Sequence, residues 1–200
     1  MSADRFADFM RGFAAARLLM GRAGTNGCFV ECVCLAASVV DGLLRTGLVL
    51  KHQLDSKTTD IPTDIIYQAD DDKIVSERMI YRRTLDKGII SQDQFDRLED
   101  LYRRRNKVIH RYIISEITTE QVLQIASEYE EAINEVKRQI QKLEDEQIES
   151  GVGMTRSGKQ VPDEVRAKGD AQIHEMADEK HGNPYLAMKL KKSINDTNGS

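Results

Sequence analysis

Proline is nearly absent from this chain, which has only Pro62, Pro162 and Pro184. An interior proline costs a helix roughly 3 kcal/mol, so its scarcity permits long uninterrupted helices. Cysteine is equally scarce. Cys28, Cys32 and Cys34 lie close together in one apolar stretch, and their odd number and spacing make neither a disulfide framework nor a zinc cage. They read as small buried hydrophobes of a protein kept in a reducing cytoplasm. A long unbroken hydrophobic run is also missing: the longest, around 28–50, is interrupted by Glu31, Asp41 and Arg45 and predicts a core helix instead of a membrane span. The opening MSADRFADFMRGF places acids where a secretory signal carries basic residues and an apolar core. Positive charge is not in surplus either. A net charge of −4 excludes wholesale coating of nucleic acid, while leaving room for a local basic site.

What the chain does have is helix-forming material: 40% apolar and 31% charged residues, an ordinary soluble profile. The apolar spacing predicts a first helix over 2–22, marked by Phe6, Phe9, Phe13 and Leu18. A second, over 27–54, is apolar nearly all round and belongs at the centre of a bundle. The polar stretch 55–72, broken at Pro62, reads as a loop with one short turn near 65–67. A third helix follows over 73–87. Ser91 with Gln94 forms a capping box opening a fourth over 92–115, and Thr118 with Gln121 opens a fifth over 119–147. Val122, Ala126, Tyr129, Ile133, Val136, Ile140 and Leu143 give the last a heptad seam, which suits a bundle helix or, at its far end, a dimer contact. GVGMTRSGKQ then reads as a linker. The expected fold is all-α, an up-and-down bundle of about five helices over 1–147 with a polar, flexible tail over 148–200 that holds at most one or two short helices. In that tail PYLAMKLKKSI is a partner-docking segment or a frayed end, and His174 and His181 have no ligand set around them.

The unusual segment is LYRRRNKVIHRY, residues 101–112. On an ideal helix at about 100° per residue, Arg105 falls in the middle of an apolar stripe of Leu98, Leu101, Tyr102, Val108, Ile109, Tyr112 and Ile113. A lone buried guanidinium costs several kcal/mol, so Arg105 must meet an anion, a set of acceptors or a partner surface. Asp41 is one candidate partner, although it can equally bridge to Arg45 four residues on. Asn106 and His110 share a face, and Arg103, seven before His110, joins it. Arg104, Lys107 and Arg111 lie opposite, as a solvated basic face or as residues that steer a polyanion.

Arg105-Asn106-x-x-x-His110 resembles the signature of the HEPN superfamily, and Arg105-x4-His110-x-Tyr112 resembles its toxins paired with minimal nucleotidyltransferase antitoxins. The apolar second helix with its embedded acid, Asp41, is similar in character. The resemblance covers about residues 1–147. It implies a cytoplasmic, metal- and cofactor-independent endoribonuclease of a toxin–antitoxin or phage-defence system. Its site would be shared across a homodimer, with Arg105, Asn106 and His110 catalytic and Arg103 as the alternative arginine. Arg105 on an apolar face would then meet RNA phosphate at the dimer interface. Tyr112 would be either a tyrosine modified by the antitoxin or a plain core residue. The residue chemistry suits RNA cleavage: histidine can move protons near neutrality, and arginine presents a fixed fork of donors to phosphate. The same fold without catalysis would be an RNA- or nucleotide-binding module, or a scaffold.

Overall fold

In the computed structural model, residues 2–68, 75–158 and 162–180 are described. They form seven helices and no strand: α1 (Ser2–Thr25), α2 (Phe29–Ser56), α3 (Thr63–Ile66), α4 (Glu77–Asp86), α5 (Gln92–Arg111), α6 (Thr119–Ser150) and α7 (Asp163–Lys180). The all-α class holds, with about seven helices in place of five. α2 is the central element, packing most extensively on α6 and also on α1, α3, α4 and α5. It is long and apolar enough to cross a membrane, but 72% of its most apolar window is buried inside the bundle. Val33, Val39, Val40, Leu44, Val49 and Leu50 are fully enclosed, which is what a helix apolar all round requires. Every member of the α6 seam from Val122 to Leu143 is buried, so the seam is spent inside the chain.

Both predicted capping boxes form. Ser91 Oγ accepts from Gln94 N at 3.2 Å while Gln94 Oε1 accepts from Ser91 N at 2.9 Å, and Thr118 and Gln121 repeat the arrangement at 3.2 and 3.1 Å. α5 stops at Arg111, four residues before the predicted end at 115. Ile113 and Ile114 are 95% and 82% exposed, so no packing holds a further turn, and β-branched residues add little helix propensity of their own.

The segment after 147 holds a longer helix than the short ones expected there. α6 continues to Ser150, and residues 152–155 fold back onto it. Gln147 is completely buried: its amide donates to Leu50 O at 3.1 Å and to Gln53 Oε1 at 3.0 Å, and accepts from Thr155 N at 3.1 Å and Thr155 Oγ1 at 2.8 Å. Gly153, at φ +87°, sits so close to the Gln147 amide that a Cβ there would collide with it. The linker-like composition thus serves a tight return instead of a free tether. α7 is an 18-residue helix docked on α1, with Ala177 fully buried beside Ala15 and Leu19. α7 brings Ala177 and Met176 to that contact and α1 brings Ala15, Leu18 and Leu19, so α7 docks without a long apolar stripe of its own. PYLAMKLKKSI and His181 lie outside the described residues.

Candidate functional site

α5 carries the site, and its buried anchors are Phe95, Leu98, Leu101 and Val108. They press the helix against α2, α4 and α6. The predicted stripe therefore splits in two. Its first part is core, whereas Ile109, Tyr112 and Ile113 are 39%, 44% and 95% exposed. Tyr112, the helix cap, is not a core residue; its ring stands at the surface.

Arg105 points inward, as its place on the stripe demanded, and the acid that receives it is Glu77, not Asp41. Its Nη2 donates to Glu77 Oε2 at 2.6 Å, and its guanidinium carbon lies 4.9 Å from the centroid of Tyr102. The side chain is 14% exposed, and its Nε is buried without an acceptor among the described residues. Within its own chain Arg105 thus already meets a carboxylate, so its inward placement does not by itself require RNA phosphate. Glu77 opens α4 directly after its cap, Ser76, whose Oγ accepts from Met79 N. Burial pushes the Glu77 carboxyl above its ordinary value of 4.5, although Arg105 pulls the other way.

Around this pair lies a polar interior with several unmatched groups. Among the described residues the buried phenol oxygen of Tyr129 has no hydrogen-bond partner, that of Tyr81 lies beside the Glu77 carboxyl, and burial raises both phenols above their ordinary range. Burial likewise raises the Cys34 thiol, with Arg105 opposing it. Asp41 belongs to Arg45, its Oδ2 accepting from Arg45 Nε at 2.6 Å, while its buried Oδ1 has no hydrogen-bond partner among the described residues. Its carboxyl is raised, first by burial and against the pull of Arg45. Asp41 and Arg45 line a cleft of about 520 Å³ between α1, α2 and α3. Of the three cysteines only Cys32 and Cys34 are partly enclosed; Cys28 is exposed.

Arg104 is not part of a solvated basic face. Its Nη2 donates to Glu128 Oε1 at 3.0 Å and its Nη1 to Glu128 Oε2, a two-point clasp from α5 to α6. Hydrogen bonding to Arg104 holds the Glu128 carboxyl below its ordinary value. Arg103 behaves differently. Its side chain is 74% exposed and its ion pair to Asp100 at 3.2 Å is a surface contact.

Asn106, Lys107, His110 and Arg111 form no side-chain hydrogen bond or ion pair among the described residues. Lys107, His110 and Arg111 are exposed and Asn106 is half-buried. On the helix Asn106 and His110 are one turn apart, about 6 Å, and Arg103 precedes His110 by two turns, about 10.5 Å. The accessible constellation on that face is Arg103, Asn106 and His110, with Arg105 set aside from it. Such a face can hold a phosphate by guanidinium and amide and offer an imidazole for proton transfer. Spacing in the sequence could not reveal Glu77 and Glu128, because each meets its arginine only through tertiary packing. Among the described residues no group of three or more His, Cys, Asp or Glu side chains is arranged to hold a metal ion.

No family model matches the chain, and no curated protein or solved structure matches it.

Proposed function

We propose that the chain is an endoribonuclease of the HEPN type that cleaves RNA with His110 as the proton-transfer group. The observation that carries this reading is the bare end of α5: an exposed, unpartnered His110 shares a face with Asn106 and Arg103. Beside it runs an exposed apolar rim of Ile109, Tyr112, Ile113 and Ile114. Contiguous exposed apolar residues are unusual on a monomer and suit contact with a second copy, which would bring two such helix ends together. In the reaction, imidazole removes the proton of a 2′-hydroxyl and that oxygen attacks the adjacent phosphorus. The bond to the 5′-oxygen breaks, and the departing oxygen takes a proton, leaving a 2′,3′-cyclic phosphate and a 5′-hydroxyl. Arg103 and Asn106 hold the phosphate oxygens as negative charge grows on them. Arg105, committed to Glu77, sets the helix in place.

The resemblance carries the wider setting: a cytoplasmic toxin of a toxin–antitoxin or phage-defence system, with a nucleotidyltransferase-type antitoxin that modifies Tyr112. The surface position of Tyr112 leaves its ring open to such a partner. The Arg105–Glu77 pair favours a second reading, a non-catalytic module of the same fold that binds RNA or nucleotide, because it removes the arginine of the signature from the surface.

The test is incubation of wild type and His110→Ala with total RNA and tRNA in the presence of EDTA, followed by mapping of the ends. Cleavage by wild type alone, with cyclic phosphate ends, is expected. No cleavage by either folded protein supports the binding module. Equal cleavage by both overturns the assignment of His110.

A further inference from the structure

α4 and α5 lie side by side, and arginines that play no part in the proton chemistry line the groove between them. Two adjoining depressions of about 320 and 450 Å³ share Arg78, Arg82, Phe95 and Glu99. The first also includes Arg83 and the second Arg103. Arg78 and Arg82 are four apart on α4 and so occupy one face of it. The guanidinium carbon of Arg82 lies 4.4 Å from the centroid of Phe95, and that of Arg78 lies 5.9 Å from Tyr102 while pairing with Glu99 at 2.7 Å. Arg82 and Arg83 have no carboxylate partner among the described residues. Asp96, at the same groove, accepts from Gln92 Nε2 at 2.8 Å.

These features match what single-stranded nucleic acid requires. Cationic donors track the backbone, and planar groups stack on bases without regard to sequence. A guanidinium over an aromatic ring keeps its edge donors for phosphate and its outer face for a base. Arg103 connects the groove to the cleavage face, since it lines one depression and shares the side of α5 that carries Asn106 and His110. We propose that the α4–α5 groove binds the single-stranded RNA segment flanking the cleaved bond, with Arg82 and Arg83 as phosphate contacts and Arg82 also as a stacking surface. The proposal rests on the ribonuclease reading of His110 for its orientation, and it adds the substrate's strandedness and path.

The experiment measures binding of a fluorescein-labelled oligouridine to full-length His110→Ala protein by anisotropy across a salt series. The comparison is with Arg82→Gln/Arg83→Gln in the same background and with Arg138→Gln on α6 as a control. Wild-type cleavage is assayed in parallel, and melting curves establish that each variant is folded. Two lost contacts at a salt slope of about −0.7 each weaken binding about 25-fold at 0.1 M salt and flatten the slope by about 1.4. The control should change neither quantity. Unaltered binding by the double variant, or no binding by its parent, overturns the groove even if wild type cleaves. Weakened binding without wild-type cleavage keeps the groove and overturns the ribonuclease reading.

Discussion

Arg104 and Arg105 are consecutive residues, each paired with a carboxylate from another helix, yet their partners shift in opposite directions. Glu128, clasped at two points by Arg104 near the surface, is held below its ordinary value. Glu77 makes one contact with Arg105 and is pushed above its own. The difference lies in surroundings. Glu77 is more deeply desolvated and also feels the negative charge of Asp41, so a single guanidinium contact does not restore what water supplied. One step along a helix thus separates an arginine that clasps the edge of the bundle from one that offsets a cost in its interior. A third, Arg103, does neither and remains open to solvent. Three identical side chains in a row have three physical roles.

The largest expected effect separates the open face from the inner pair. His110→Ala should lower RNA cleavage by about 10²- to 10⁴-fold, the usual contribution of a positioned proton-transfer group. It should leave stability within about 0.5 kcal/mol of wild type in urea titrations, as for an exposed residue without partners. A large loss of stability would place His110 inside the fold's own network. Next in size, Glu77→Ala should destabilise by about 3 kcal/mol, because it leaves the Arg105 charge buried and unpaired. Glu128→Ala, at the more exposed clasp, should cost no more than about 1 kcal/mol. The double variant Glu77→Leu/Arg105→Met should recover most of the first loss, since an apolar pair can replace a buried ion pair at little cost. Equal losses in the two single variants would erase the contrast between the arginines.

Much of this was legible in the sequence, for local reasons. The capping boxes at Ser91 and Thr118 involve residues three apart, and the apolar character of α2 and the seam of α6 are periodic signals that report burial directly. The inward placement of Arg105 followed from helix geometry alone. Its partner did not, because Glu77 lies 28 residues away in sequence and meets it through the packing of α4 on α5. The same limit hid the Arg104–Glu128 clasp, so that Arg104 read, with Lys107 and Arg111, as part of a solvated or polyanion-steering face. α7 is longer than the short helices expected of the tail, and its side of the contact with α1, Ala177 and Met176, leaves little amphipathic pattern. Legible in principle, but not weighted, was the spacing of Arg78 and Arg82 on α4, which marks a basic face as clearly as the Arg103 to Arg111 run does.

The smallest effect is a pH dependence, and it tests the comparison by sign. Glu77 has a folded value above 4.5, so the folded state binds its proton more tightly than the unfolded chain does. Its ionisation carries a cost that is present in full above that folded value and disappears as pH falls towards 4.5. Glu128 has a folded value below 4.5. Its stabilisation is complete above 4.5 and is lost only as pH falls through the lower, folded value. Urea titrations of wild type, Glu77→Gln and Glu128→Gln at pH 7, 5 and 4 should therefore diverge. Wild type should gain on Glu77→Gln between pH 7 and 5, while its margin over Glu128→Gln should hold steady there and shrink below 4.5. Margins that move together would mean that burial does not dominate at Glu77. The inner arginine would then be as effective a partner as the outer one, and Arg105 would have no more reason than Arg104 to be withheld from the RNA cleavage proposed for the end of α5.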